Sequence, residues 1–348
     1  METKTSNLKE DIFTVTRMIY GNWMQQVTFV FAELGVADVL IAKPMTIEVL
    51  ASKLNVVAKH LNRVLRCASE MGYVDFDTEL NSWVLTPRGE LLGTDHPHSK
   101  RDEARLNGED YRYLPWNNLI KIVRNGIREE YSPTIKDGSL NYLKGKTELL
   151  KVFHNTMTKK SQIENYDIIK DFDFSKFTNI MDLGCGEGTF LKSILDNNSH
   201  LNGVMFDIPE TFNETIEEEY EGRLAKVTGD FFDVIPDNCD VYTMKNIIHN
   251  WREFKAKNLL HKVREAMEST SGIDTDPKDK RFLIVENVVP ENGVDHIANW
   301  MDLNFMVIID GAERTKDEYR ILGEECGFKL IDTHATDTGR HIIEYSLL

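Results

Sequence analysis

Between Ile180 and Phe190 the chain reads Ile-Met-Asp-Leu-Gly-Cys-Gly-Glu-Gly-Thr-Phe. A short apolar run ends in an acid, glycines follow at 184, 186 and 188, and a helical pattern then begins. That order describes a buried strand, a tight turn and a helix N-terminus. Glycine carries no Cβ, so such a turn lets backbone N–H groups come close to a ligand. Downstream, apolar runs and helical patterns alternate. Strands are expected at 179–183, 202–206, 224–228, 240–245, 282–289, 328–334 and 341–346, and helices at 188–197, 210–220, 254–268, 295–308 and 316–326. The alternation predicts an α/β domain with a mostly parallel seven-stranded sheet covered on both faces. The polar stretch from Ser269 to Lys280 reads as an exposed loop.

The N-terminal half reads differently. Residues 11–40 are expected to be helical, with Trp23, Val27, Val30, Phe31 and Leu34 on one face and a break at Gly35. A short helix over 46–54, a second helix carrying Leu61, Val64, Leu65, Ala68 and Met71, and a hairpin of 73–76 with 83–86 come next. Thr86-Pro87 then opens a further helix. Helix, helix, hairpin, helix is a winged-helix pattern. Its second helix offers Lys59, His60, Arg63 and Arg66 but also Glu70, and the whole chain carries a net charge of −16. That balance disfavours a nucleic acid or an anionic membrane as partner. The sequence divides as 1–100 for this domain, 101–170 for a connector that helps line the substrate pocket, and 171–348 for the α/β domain. Within the connector, 95–115 reads as a surface crossing, 116–126 as helix, 138–145 as loop and 147–170 as a long helix through Leu150, Phe153, Met157 and Ile163.

No run of about 18 apolar residues is present, so no spanning helix is expected, nor is a signal peptide read at the start. Four scattered cysteines without a C-x-x-C pair point to a reducing cytoplasm and away from a zinc cluster; no metal is expected.

Chemistry-bearing residues gather at the carboxyl ends of the expected strands. The glycine turn is G-x-G-x-G; a dinucleotide turn would need its third glycine where Thr189 stands, and no phosphate-loop lysine follows. Asp207 ends the second strand, where an acid accepts ribose hydroxyls or caps a turn. Asp230 and Phe231 follow the third, suited to a purine's amine and face. His249 lies just past the fourth, and imidazole is the side chain that exchanges a proton near neutral pH. Glu286 and Glu313 follow at the same edge, and spacing leaves open which of them holds the imidazole.

Asp182-Leu183-Gly184-Cys185-Gly186-Glu187-Gly188, Phe206-Asp207-Ile208-Pro209, Gly229-Asp230-Phe231-Phe232 and Lys245-Asn246-Ile247-Ile248-His249-Asn250-Trp251 occur in that order. Together with Asp302 to Val307 and Gly311 to Thr315, they resemble class I S-adenosylmethionine-dependent small-molecule O-methyltransferases, of the plant caffeate/flavonoid type and its bacterial natural-product relatives. The resemblance implies a Rossmann-like methyltransferase domain behind a winged-helix dimerisation domain, hence a homodimer. It implies that Asp182 and the Gly184–Gly188 turn, including Gly186, hold the methionine end of S-adenosylmethionine. Asp207 with Ile208 would hold the ribose, Asp230 and Phe231 the adenine, and Lys245 is the cofactor-contacting lysine. His249 matches the base, with Glu286 and Glu313 flanking it, and S-adenosylhomocysteine is the product. Phe153, Met157, Trp300, Asn304 and Met306 are candidate liners of a flat, apolar acceptor pocket, and also fit as helix core.

The family usually has Asp where Asn250 stands, and the 269–280 loop is longer than its usual turn. Besides O-methylation of a small aromatic or enolic metabolite, two readings stay open. One is an enzyme of the same fold performing N- or C-methylation, decarboxylation, hydroxylation or a pericyclic step. The other is a winged-helix ligand-sensing regulator.

Overall fold

Gly35 and Tyr20 divide the long apolar N-terminal pattern. In a computed structural model of the chain, which describes residues 7–135, 138–212, 220, 222–269, 276–291, 294 and 296–348, residues 11–40 form three helices instead of one. They are Leu8–Ile19, Gly21–Glu33 and Val36–Leu40. Gly35 adopts φ +66°, a left-handed value that favours glycine and ends the second helix. Tyr20 separates the first two and stacks on Trp23 at 4.3 Å. Helices Ile47–Leu54 and Ala58–Glu70 follow, then strands β1 (Val74–Asp77) and β2 (Ser82–Leu85), paired antiparallel, and the single turn Pro87–Glu90. Phe31, Leu50, Leu65, Val74 and Trp83 form the core of this winged-helix arrangement.

The expected surface crossing at 95–115 instead contains helices Arg101–Gly108 and Asp110–Tyr113. Leu106 and Tyr111 are buried, and Gly108 lies so close to Phe29 that a Cβ there would stand 2.2 Å from its ring. So few small or apolar contacts show no helical stripe among the charges. The expected loop at 138–145 likewise contains a short helix, Gly138–Leu143, and the long helix runs Thr147–Asp171.

The chain forms two compact units. One consists of Met1–Leu114 with Leu143–Thr156, the other of Pro115–Tyr142 with Met157–Leu348. The stretch 101–170 is thus shared between them.

The second unit is built on a sheet. Its strands are β3 (Asn179–Leu183), β4 (Asn202–Asp207), β5 (Leu224–Thr228), β6 (Val241–Lys245), β7 (Arg281–Val289), β8 (Arg314–Thr315), β9 (Phe328–Ala335) and β10 (Arg340–Leu347). Their order is β5-β4-β3-β6-β7-β10-β9, with β8 joined to β7. All seven expected strands are present. β5 through β7 pair in parallel, and β10 is antiparallel to both its neighbours. Asp240 sets the β3–β6 register by accepting the backbone N–H of Thr178 at 2.8 Å and of Asn179 at 2.9 Å. Adjacent residues of β3 enter opposite cores: Met181 packs with Leu259 and Tyr242, Ile180 with Phe190 and Leu283. Helices Thr189–Asn197, Glu253–Glu268, Ile297–Ile308 and Lys316–Glu325 accompany the sheet. The helix expected at 210–220 lies largely outside the described residues, apart from a turn at Pro209–Thr211, as do positions 270–275 of the expected loop. Among the described residues no helix is long and apolar enough to cross a membrane.

Candidate active site

Strand order reverses between β3 and β6, and open sheets bind ligands outside the carboxyl ends of strands at such a point. The glycine turn sits there. Gly184, Gly186 and Gly188 all take left-handed φ, +74°, +57° and +73°. A Cβ on Gly184 would stand 2.5 Å from Ile247 and one on Gly188 2.4 Å from Met205, so a side chain at either would have to displace the end of that neighbour. At Gly186 a Cβ would meet nothing within 4 Å. Its open face is room for a ligand. The Gly186 N–H donates to Oδ2 of Asp207 at 2.9 Å. Oδ1 of Asp207 accepts the Ile208 N–H at 2.7 Å and the Thr211 hydroxyl at 3.0 Å. A carboxylate has about four lone-pair positions, so capacity to accept ribose hydroxyls is left over.

Asp182 is buried beneath the turn and accepts the Thr243 hydroxyl at 2.8 Å. Burial pushes its carboxyl up to about 7, against the pull of Thr243 and Lys245. Cys185, inside the turn, is half-buried, and desolvation first, then the nearby Asp182 and Asp207 carboxylates, raises its thiol far above reactivity at neutral pH. At the end of β5, Asp230 is exposed and accepts the Phe232 N–H at 2.8 Å. The Phe231 ring lies 3.4 Å from where a Gly184 Cβ would be, and meets Phe232 edge-on at 5.1 Å. Asp207, Phe231 and the glycines are therefore brought to one edge.

His249 sits in a single turn, Ile248–Asn250, after β6 and is 5% exposed. The turn is entered through Asn246, at φ +60°, whose carbonyl accepts the Asn250 side-chain amide at 2.9 Å. Gly311 closes the other side: a Cβ would stand 2.1 Å from the His249 carbonyl oxygen, which accepts the Ala312 N–H at 3.0 Å. Only glycine lets the 309–313 segment approach this near. The segment is then anchored by a capping box of Thr315 and Glu318 at the next helix.

The two acids divide the work left open by their spacing. Glu313 meets the ring, with Oε1 3.3 Å from Nδ1 of His249. Nδ1 makes no aligned hydrogen bond, so the pairing is chiefly electrostatic. The same oxygen accepts the Asn287 amide at 2.6 Å. Burial raises the Glu313 carboxyl, but the imidazole and Asn287 outweigh it and hold it below the usual carboxylate range. Glu286 does not address the ring. Its Oε1 accepts the His249 backbone N–H at 3.0 Å and its Oε2 the Tyr319 hydroxyl at 2.6 Å. Donor atoms of His249, Glu286 and Glu313 lie within 4.8 Å of one another. Each Glu286 oxygen accepts one hydrogen bond from the protein, and the cluster is built as a clamp on histidine.

The expected acceptor liners lie on two helices, Thr147–Asp171 and Ile297–Ile308. Met306 packs with Ile122, Val307 and Ile308; Asn304 is half-buried; Trp300 is 63% exposed. Met157 is exposed at the surface of the second unit, and Phe153 belongs to the first. The aromatic that meets His249 is Phe305, ring to ring at 4.3 Å. It was not anticipated, although it stands one helical turn from Asp302. Tyr319 was also missed, and sequence offers no signal for its pairing with Glu286. Lys245 is present at the end of β6, but its ammonium is 3.0 Å from Glu164 and donates to Ser161 at 2.9 Å.

Residues 116–329 match the O-methyltransferase domain and residues 16–95 the O-methyltransferase dimerisation domain. The phenazine O-methyltransferase PhzM of Lysobacter antibioticus is 31% identical over 332 residues, covering 94% of each chain. Among solved structures, LaPhzM aligns with a TM-score of 0.86 at 29% identity, over 99% of this chain and 100% of that one. CalO1, a methyltransferase of calicheamicin biosynthesis solved with S-adenosylhomocysteine bound, aligns at a TM-score of 0.78 and 25% identity, over 99% and 100%. The chain belongs to the S-adenosylmethionine-dependent O-methyltransferases of secondary metabolism, whose winged-helix N-terminal part is a dimerisation domain.

Proposed function

We propose that this enzyme methylates a hydroxyl of a small, flat aromatic or enolic metabolite, with His249 as general base. The observation that carries the reading is the buried pair of His249 and Glu313, 3.3 Å apart at Nδ1. Glu313 favours the tautomer with its proton on Nδ1, which leaves the Nε2 lone pair to receive the acceptor's proton. Glu286 fixes the backbone that carries the ring, and Phe305 confines one ring face, which suits a planar substrate.

When bound, S-adenosylmethionine supplies an electrophilic methyl group. The residues present fit it: Gly186 offers open backbone, Asp207 has spare lone pairs, and Phe231 stands beside the turn. A phenol has a pKa near 10, so removing its proton as the bond forms raises its nucleophilicity at neutral pH. His249 and Glu313 perform that step, while the clamp holds the ring in place.

We also assign a cytoplasmic homodimer. Helix Leu8–Ile19 exposes Leu8, Ile12, Phe13, Val15, Met18 and Ile19, an apolar surface that a second copy would cover. Light scattering should give twice the chain mass.

The decisive assay is a mass-spectrometric screen of phenolic metabolites with cofactor, run beside His249→Ala. A gain of one methyl that falls about 10²–10⁴-fold in the variant supports the reading. Equal turnover in both proteins removes His249 as base.

A further inference from the structure

Away from His249, the second unit buries another charged cluster. Glu164 projects from the long helix. Its Oε1 accepts Nε–H of Arg340, the first residue of β10, at 2.9 Å, and its Oε2 lies 3.0 Å from Nζ of Lys245, the last residue of β6. All three residues are more than nine-tenths buried: 6% exposed for Glu164, 3% for Arg340 and 9% for Lys245. Nζ of Lys245 also donates to the Ser161 hydroxyl at 2.9 Å, one turn earlier on the same helix. Ser161 in turn accepts from the hydroxyl of Thr189, at 3.3 Å, the first residue of the helix behind Gly188. A single carboxylate thus stands between two buried cations, and a short chain of contacts leads from it to the glycine turn.

We propose that Glu164 is a positioning residue for the cofactor: it holds the Lys245 ammonium charged and in place against Ser161 and the start of the helix behind the glycine loop. The inference rests on the reading that Lys245 faces the cofactor. An ammonium out of water needs a counter-charge, or it sheds its proton or swings away. The groups facing Lys245 are Glu164, Arg340 and Asp182, with the Phe190 ring 6.0 Å from Nζ. Burial lowers the Lys245 ammonium, Glu164 opposes this most strongly, Arg340 lowers it further, and Asp182 opposes more weakly. Without Glu164, burial and Arg340 act together. In return, Lys245 and Arg340 overcome burial at Glu164 and hold its carboxyl below the usual range.

The test is calorimetric titration of S-adenosylhomocysteine into the full-length protein at pH 6.5 and 8.5, for wild type, Glu164→Gln, Lys245→Met and the double variant. Glu164→Gln is expected to bind about 10-fold or more weakly at pH 8.5 and closer to wild type at pH 6.5, as an unbalanced buried lysine loses its proton. The double variant is expected to bind no more weakly than Lys245→Met alone, because Glu164 acts through Lys245. Wild-type affinity of Glu164→Gln at both pH values overturns the proposal, and so do additive losses in the double variant. Wild-type affinity of Lys245→Met instead removes the reading of Lys245. Should Glu164→Gln fail to fold, Glu164→Gln with Arg340→Gln removes the second unpaired cation. The same pH-dependent loss is expected from that pair, and pH-independent wild-type affinity there overturns the proposal.

Discussion

Glu286 holds His249 by the chain and Glu313 holds it by the ring. The backbone N–H of His249 donates to Glu286 at 3.0 Å, while Nδ1 lies 3.3 Å from Glu313. Two acids of similar burial therefore have separable effects, one on the shape of the turn and one on the electrostatics of the imidazole.

Glu313→Gln should lower kcat by about 10²–10⁴-fold, since the neutral amide no longer stabilises a protonated ring or selects its tautomer. Cofactor affinity should stay within a few-fold of wild type. Single-turnover kinetics beside calorimetric titration check this; equal losses in both would assign Glu313 to the cofactor site.

Tyr319→Phe leaves Oε2 of Glu286 without its hydroxyl donor in a fully buried setting. A stability loss of about 1–3 kcal/mol is expected. Denaturant unfolding would measure it, and an unchanged midpoint would show that the bond contributes nothing.

The glycine turn separates folding from binding. Gly188→Ala combines left-handed backbone with a 2.4 Å approach to Met205, so it should lose stability by about 2 kcal/mol or more. Gly186→Ala meets open space and carries only the backbone penalty of about 1–2 kcal/mol, but its methyl enters the cofactor's room. It should weaken S-adenosylmethionine more than it lowers Tm. The reverse ranking would mean that the open face of Gly186 is not the binding face.

Asp182 predicts a pH dependence. Its folded carboxyl titrates near 7, above its ordinary value of 3.8, so the native state keeps a proton that the unfolded chain releases. Stability from this group is complete below about pH 4 and is lost as pH rises through 7. Asp182→Asn removes the change, because an amide oxygen can still accept from Thr243. The variant should gain on wild type as pH rises from 5 to 8, by at most about 3 kcal/mol. Parallel stability curves across that range would contradict the buried, raised carboxyl.

Asn250→Asp restores the residue usual in the family but removes the donor to the Asn246 carbonyl and sets a carboxylate against it. A loss of about 1 kcal/mol is expected in thermal unfolding. A gain would show that the local charge outweighs the lost bond.

What could be read before the structure depended on how far each feature is self-contained. Strands β3, β6 and β7 are buried along almost their whole length, so each appears as a mostly apolar run broken only by a few polar residues, among them Asp182, Lys245 and Glu286. The left-handed glycines of the turn were likewise local. Helix Arg101–Gly108 was not, because its packing rests on Leu106 and on the missing side chain of Gly108. At the site, residue types and strand ends placed His249, Asp207 and both glutamates, but not which acid faces the ring. That depends on Tyr319, brought in from the helix Lys316–Glu325, and on Asn287, the residue after Glu286 on β7. Gly311 was visible only as a break; its reason is the carbonyl of His249 2.1 Å from where a side chain would begin.

The division of the chain into two units has a consequence for recombining relatives. Each unit is made of two separate segments, and the boundary at Thr156–Met157 falls inside the helix Thr147–Asp171. A single crossover near residue 100 would therefore strand Leu143–Thr156 with the wrong parent. Chimeras that carry one relative's N-terminal half must also transplant that segment, and Pro115–Tyr142 must travel with the sheet.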